Sequence, residues 1–403
     1  MDIAIIGGGA SGFFCALNIA MQRPDAQITI FERTSTLLGK VRISGGGRCN
    51  VTHSLFDARD LVKKYPRGAR EMLSPFIKFN PENTIEWFRQ RGVTLKTEPD
   101  GRMFPVTDSS ETIIDCFLRE AEKLGIQILM NAGITEIKKT EHAFELYTNT
   151  QRYRCDAVVV AAGGNIAEDL KKTLLEMGHT FVPSVPSLFT FNVPKHPINS
   201  LMGVSVPMAT VKIAGTKLVE EGPILITHWG FSGPAILRLS AWGARHLASV
   251  NYEFKFIINW IHGSTPDYIF QELSNYKQWH QQANILNSPI DIPKRLWKFF
   301  VNDTGIDDHT IWQAVPKHLL QKLARRVSVD EYDARGKTTY KDEFVTAGGI
   351  QLKELDFKTM ESKMVPGLYF TGEIIDVDGI TGGFNFQNAW TTAWLAANSL
   401  AIS

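Results

Sequence analysis

The short apolar run Ile3 to Ile6 passes without a spacer into Gly7-Gly8-Gly9-Ala10-Ser11-Gly12. A run of this kind reads as a buried parallel strand. Phe13, Phe14, Ala16, Leu17, Ile19 and Ala20 follow at helical spacing, and Arg23-Pro24-Asp25 breaks the pattern. Gln27 to Glu32 then reads as a second strand. Strand, glycine turn, helix and strand make one βαβ unit. The turn has the form Gly7-x-Gly9-x-x-Gly12. A pyrophosphate needs backbone N–H donors and the positive end of a helix, with side chains kept away. In that reading Gly7 makes the tight turn, Gly9 admits the phosphates beside Ala10 and Ser11, and Gly12 lets helix and strand pack closely. Glu32 stands 20 residues past Gly12, where a carboxylate can accept hydrogen bonds from ribose hydroxyls. The arrangement predicts dinucleotide binding and by itself does not separate FAD from NAD.

Three more glycine-rich segments extend this site. Gly39-Lys40-Val41-Arg42-Ile43-Ser44-Gly45-Gly46-Gly47-Arg48-Cys49-Asn50 offers close backbone approach at its three consecutive glycines, with Lys40 and Arg48 adding positive charge. Cys49 is open to two readings: a redox thiol, or a small side chain packed near the cofactor ring. It has no CxxxxC partner. Val158-Val159-Val160-Ala161-Ala162-Gly163-Gly164 is a strand ending on small residues, a pattern that passes near the cofactor in FAD proteins of this fold. Gly372-Glu373 follows another strand, and Gly382-Gly383-Phe384-Asn385 opens a final alanine-rich helix expected over 385–399. The N-terminus of that helix is placed to stabilise the negative charge of a reduced flavin. A fifth segment, Thr227 to Ala235, holds His228, a candidate proton donor to substrate, although a lone histidine is more often structural. His179 reads as a packing or turn residue.

The rest of the chain supplies the frame. Helices are expected over 81–91, capped by Asn80 and stopped by Gly92, and over 110–124. Short strands are expected over 127–155 and 157–161, with a turn near 139–142. Residues 187–262 alternate in short segments that suggest a small β-rich domain. Helical periodicity appears over 267–277, 294–302 and 310–325, and strand returns over 342–350. These readings give a discontinuous α/β domain, residues 1–186 and 346–403, with an insertion. The insertion comprises a β-rich part, 187–263 with 326–345, and a helical subdomain, 264–325.

Composition narrows the classes. A formal net charge of +1 argues against a nucleic-acid surface as the main business and leaves only a local patch open. The four cysteines, Cys15, Cys49, Cys116 and Cys155, form no CxxC pair and no zinc spacing, which fits a reducing compartment and no metal. There is neither a signal-like N-terminal stretch nor a run of 18 apolar residues. A cytoplasmic location without membrane attachment is the expectation.

With these motifs, the chain resembles a widespread bacterial flavoprotein family described as NAD(P)/FAD-dependent oxidoreductases, which includes aminoacetone oxidase and a bile-acid-pathway flavoprotein. The resemblance runs over essentially the whole chain and is most specific at Ser44 to Asn50, Thr227 to Ala235 and Gly372 to Asn388. His53 stands where the family usually has Asn, and Ala162 where it often has Thr. The resemblance implies a Rossmann-type FAD-binding domain with three-layer ββα features, carrying an inserted β-barrel plus helical subdomain. It implies FAD contacts at the motif residues already named and also at Arg33, Ser44, Ile134, Gly163 and Glu373.

The function expected is an FAD-dependent oxidoreductase acting on a small organic substrate by hydride transfer at flavin N5, in a cleft between the two domains. One form reduces a substrate such as an enone with NAD(P)H. No second GxGxxG is present, so NAD(P)H would bind only transiently. Another form is an amine-type oxidase passing electrons to oxygen. A non-catalytic FAD-binding sensor or assembly protein is the alternative from a different class. An RNA-modifying flavoprotein is an outsider, disfavoured by the net charge. No residue is assigned as catalytic.

Overall fold

The structure, a computed structural model, describes residues 1–338 and 345–402. The chain divides into two compact units, Met1–Pro186 with Tyr340–Ser403, and Ser187–Thr339.

The first unit is organised by β1 (Asp2–Ile6), α1 (Ala10–Gln22) and β2 (Gln27–Phe31). β1 is parallel to β2 on one side and to Ala157–Val160 on the other. The sheet continues in parallel through Gln127–Leu129 beyond β2 and through Leu368–Phe370 beyond Ala157–Val160. Two short antiparallel strands, Glu361–Ser362 and Leu355–Asp356, complete one edge. Chain order therefore reverses at β1, and the glycine turn leaves the carboxyl end of that strand, where open α/β sheets bind ligands. A second layer is the antiparallel sheet Glu136–Lys139, Phe144–Tyr147 and Arg152–Cys155. Ser11 to Ala20 of α1 are all buried, because the last helix, Phe384–Ile402, and the Glu111–Lys123 helix both lie against it. Phe14 meets Trp87 at 4.5 Å and Trp390 at 5.2 Å between ring centroids, which joins the first and last helices in one aromatic core.

His179 is buried in this unit. Its Nε2 lies 3.2 Å from Ser362 Oγ, its Nδ1 3.4 Å from a Glu354 oxygen, and its ring stands edge-on to Phe370. Burial holds its pKa below the ordinary 6.5, outweighing the pull of Glu354. The unfolded chain thus takes up a proton at a pH where the folded one does not. The contribution is whole above 6.5 and is lost as pH falls through the lower folded value. His179→Gln is expected to flatten the acid limb of the stability–pH curve in urea titrations; an unchanged limb would contradict this.

The second unit is built on an antiparallel sheet of seven strands. Its outer strands, Asp330–Arg335 and Lys337–Thr338, follow one another across Gly336. One continuous stretch therefore pairs with both edges, and the sheet closes into a barrel. Three helices, Pro266–Trp279, Lys294–Asp303 and Lys317–Ser328, share its core: Phe231, Phe256 and Tyr332 of the strands are continuous with Trp297, Phe300 and Leu323. Asp330, fully buried, accepts from Trp260 Nε1 at 2.8 Å and also pairs with Tyr332 and Arg326.

Some elements differ from expectation. Pro234–Ser249 is a helix of 16 residues within the stretch read as short strands. Its apolar residues do follow helical spacing, but the Gly-Pro start reads as a turn and Gly243 interrupts the pattern. The helix expected from 310 begins at Lys317, because Pro316 stands at its cap and only a short turn, Trp312–Ala314, precedes it. Helices Ala69–Lys78 and Glu168–Glu176 were not anticipated. The strand expected from 342 is seen as Val345–Ile350, and its first residues lie outside the described ones.

Candidate FAD site

Gly7 and Gly12 are required by packing. Gly7 has φ +117°, and a Cβ there would meet Ala161 O at 2.4 Å; one on Gly12 would meet Gly7 O at 2.0 Å. Gly9 is different. A Cβ on it would meet nothing within 4 Å, and the same holds at Gly46, Gly47 and Gly163. No side chain caps α1. The structure thus presents bare backbone and an uncapped helix N-terminus to open space, which is what a pyrophosphate requires. Glu32 closes this turn, accepting from Gly8 N at 2.8 Å, while its other oxygen accepts from Thr34 N and Oγ1. Beside it, Ala132 N donates to Glu32 O, placing buried Ile134 next to the segment that carries exposed Arg33.

The far end of the chain reaches the same place. Ser11 Oγ donates to Thr371 Oγ1 at 2.6 Å, and a Cβ on Gly372 would lie 2.9 Å from Ser11 Cβ. Glu373 accepts from Thr346 N at 2.8 Å and forms an ion pair with Lys40. Ala161 N donates to Ile6 O, and Gly164 approaches Glu373. Ala10 lies at the first position of α1 and Ala162 beside Gly7.

The segment Gly39–Gly47 is helical with a kink at Ser44 to Gly46. Ser44 Oγ donates to Val41 O and Ser44 O accepts from Cys49 N, so the turn is bound from within. Burial pushes the Cys49 thiol up to about 12, which keeps it a neutral, inert group and favours the packing reading. Asn50, with its amide oriented to satisfy both neighbours, donates to Thr52 O at 3.1 Å and accepts from Gly383 N at 3.0 Å. Phe384 stacks on His53 at 4.8 Å, and Asn385 bonds both N–H and C=O of Gly379. A Cβ on Gly382 would meet the Phe384 ring at 2.7 Å. Arg48 lies differently from expectation. It pairs with Glu98 at 2.6 Å and Asp108 at 3.5 Å and covers Phe104, so its charge is committed to carboxylates.

The motifs therefore converge on one cradle. The description "HI0933-like protein Rossmann domain" names a family whose model matches residues 1–399. The chain belongs to this family. Among similar proteins, 3-dehydro-bile acid delta(4,6)-reductase of Clostridium scindens is 28% identical, over 99% of this chain and 98% of the relative. Ribosomal RNA dihydrouridine synthase of Escherichia coli is 29% identical over 99% and 98%. The fold is shared with 3-ketosteroid delta1-dehydrogenase of Sterolibacterium denitrificans, at TM-score 0.52 and 12% identity over 100% of this chain and 99% of that one.

Sequence reasoning missed the props behind the cradle. Arg67 and Asp378 form a bidentate ion pair with side chains 10% and 0% exposed, and their backbones form a bridge. Tyr65 Oη donates to Phe384 O at 2.6 Å. Gln387 Oε1 accepts from both Thr52 and Thr84. Of these, Asp378 alone carried a signal in the sequence, as one of two carboxylates, with Asp376, in the otherwise apolar stretch Ile374 to Ile380. His228 lies in an exposed turn of the second unit. Among the described residues, no helix is long and apolar enough to cross a membrane, and no three His, Cys, Asp or Glu side chains are grouped to hold a metal ion.

Proposed function

We propose that this FAD-dependent oxidoreductase reduces a carbon–carbon double bond conjugated to a carbonyl, with NADH or NADPH as electron donor. The observation that supports the cofactor is the open backbone cradle at Gly9, Gly46, Gly47 and Gly163 beside the uncapped N-terminus of α1. The names of two relatives support the reaction class. A delta(4,6)-reductase acting on a 3-dehydro-bile acid and a dihydrouridine synthase both saturate a bond in conjugation with a carbonyl. Bound flavin supplies hydride transfer between donor and substrate.

The protein's own residues bind and orient. Glu32 takes a ribose hydroxyl, and α1 with its glycines takes the pyrophosphate. Glu373 and Lys40 would offer a carboxylate and an ammonium group to the ribityl chain. The N-terminus of the last helix would supply partial positive charge to stabilise a reduced flavin. A small enone and a uracil ring fall within one reaction class. A uracil ring is the second substrate form, favoured by the name of the Escherichia coli relative.

The test is anaerobic mixing of the yellow protein with NADH or NADPH. Bleaching by one of them, followed by return of colour on adding an enone, is the expected result. No bleaching with either, together with bleaching by an amine and recovery in air, would replace this reading with an amine oxidase.

A further inference from the structure

The net charge of +1 conceals an asymmetry. Residues 187–339 carry sixteen Lys and Arg against twelve Asp and Glu, an excess of four, while the rest of the chain carries twenty-seven against thirty. That whole excess falls within residues 294–326, seven basic against three acidic. These residues span the helices Lys294–Asp303 and Lys317–Ser328. Leu296, Trp297, Phe300 and Val301 bury one side of the first of them, leaving Lys294, Arg295 and Lys298 outside. Lys317, Lys322 and Arg325 share the exposed side of the second. The two helices are fastened together by Arg326 with Asp303 at 2.9 Å and by Lys322 Nζ with Thr304 O at 3.2 Å. Among the described residues, Lys294, Arg295, Lys317, Lys322 and Arg325 enter no ion pair.

An aromatic face adjoins these cations. On the helix Pro266–Trp279, Tyr268 is 56% and Trp279 83% exposed. They stand eleven residues apart, which is three turns and therefore one side, with exposed Asn275 between them. Gln313 N donates to Gln281 O and Lys277 Nζ to Val315 O, so the end of this helix is tied to the residues that lead into Lys317. A Trp held this far into water gains nothing by folding. Cations without a carboxylate partner, beside exposed aromatics and amides, match a polyanion that has stacking faces and base edges.

We infer that this face of the inserted unit docks RNA containing unpaired bases. The inference rests on the uracil form of the proposed reaction and names the molecule that carries the ring.

The probe is a fluorescent RNA hairpin with a uridine-rich loop, titrated with FAD-loaded protein by anisotropy between about 50 and 200 mM salt. The triple variant Lys317→Glu, Lys322→Glu, Arg325→Glu is expected to weaken binding by tenfold or more. Its plot of log K against log salt is expected to be shallower by about 2, at roughly 0.7 per lost phosphate contact. Trp279→Ala is expected to weaken binding about tenfold with the salt slope unchanged. Bleaching by NADPH and turnover of a free enone are read in the same preparations. Their persistence alongside lost RNA binding supports the docking face and separates it from the reaction. Wild-type protein that does not bind the hairpin, or binding that survives all four substitutions, overturns the inference. So does heparin matching the hairpin's affinity with no effect of Trp279→Ala, which would make the face a general anion surface. Loss of enone turnover in wild-type protein that still binds RNA would sink the proposed reaction and leave the surface standing.

Discussion

Gly9→Val is expected to purify as a folded, colourless protein. Gly9 has φ −94° and ψ −172°, extended backbone that any residue adopts, and the space beyond its Cα is open. A Cβ there meets nothing in the protein, and the methyl groups it carries would stand where the pyrophosphate must approach. FAD affinity should fall by at least tenfold, equivalent to ~1.4 kcal/mol, while the melting temperature of the cofactor-free form stays near that of cofactor-free wild type. The companion change is Gly12→Ala, whose Cβ would lie 2.0 Å from Gly7 O. There β1 and α1 must separate, and cofactor-free protein should itself be destabilised, by about 1–3 kcal/mol or more. Absorbance at the flavin maximum gives occupancy and a thermal melt gives stability. Full FAD occupancy in Gly9→Val would remove the phosphate from this turn. Equal loss of stability in both variants would show that Gly9 too is held by packing.

Arg67→Ala should be among the most destabilising single substitutions outside the glycine turn. Asp378 is fully buried and takes both arms of this guanidinium. Removing one partner of a buried pair takes from Asp378 the guanidinium that holds both its oxygens, at a cost of about 3–5 kcal/mol. In a unit of this size that is roughly 10 °C of melting temperature. The pair also fixes the residues that lead into Gly382 and Gly383, so retained flavin should bind more weakly and fluoresce more strongly. A single variant that melts within about 2 °C of wild type would show that the pair is not coupled to folding.

Legibility in the sequence followed how local each signal was. The βαβ unit was readable because Ile3 to Glu32 contains strand, turn, helix and acid in one continuous stretch, each placed by covalent spacing. The helix Pro81–Arg89 was readable for the same reason: Asn80 and Asn83 form a capping box next to Pro81. Arg67 with Asp378, Tyr65 with Phe384 and Thr52 with Gln387 are each separated by more than 300 residues, and no local pattern announces such partners. Arg48 was read by its glycine neighbours, but Glu98 and Asp108, distant in sequence, determine where its charge goes. Net charge misled in another way. It averages over a chain whose two units carry opposite signs, and only a boundary between them makes the asymmetry visible. The helix Pro234–Ser249 was lost because its Gly-Pro entry looks like a turn when read without the strand that precedes it.

The interleaving of the two units also sets an order of events on the ribosome. β1 and β2 emerge early, yet the strand Leu368–Phe370 and the Ser11–Thr371 contact wait for more than 300 further residues to be synthesised. Meanwhile Ser187–Thr339 has its own core and can fold as soon as it clears the exit tunnel. Throughout that interval α1 lacks the last helix that buries it in the finished protein. Cofactor capture is therefore a late step of biogenesis, and the half-made chain is the stage at which a chaperone or a shortage of FAD would decide its fate.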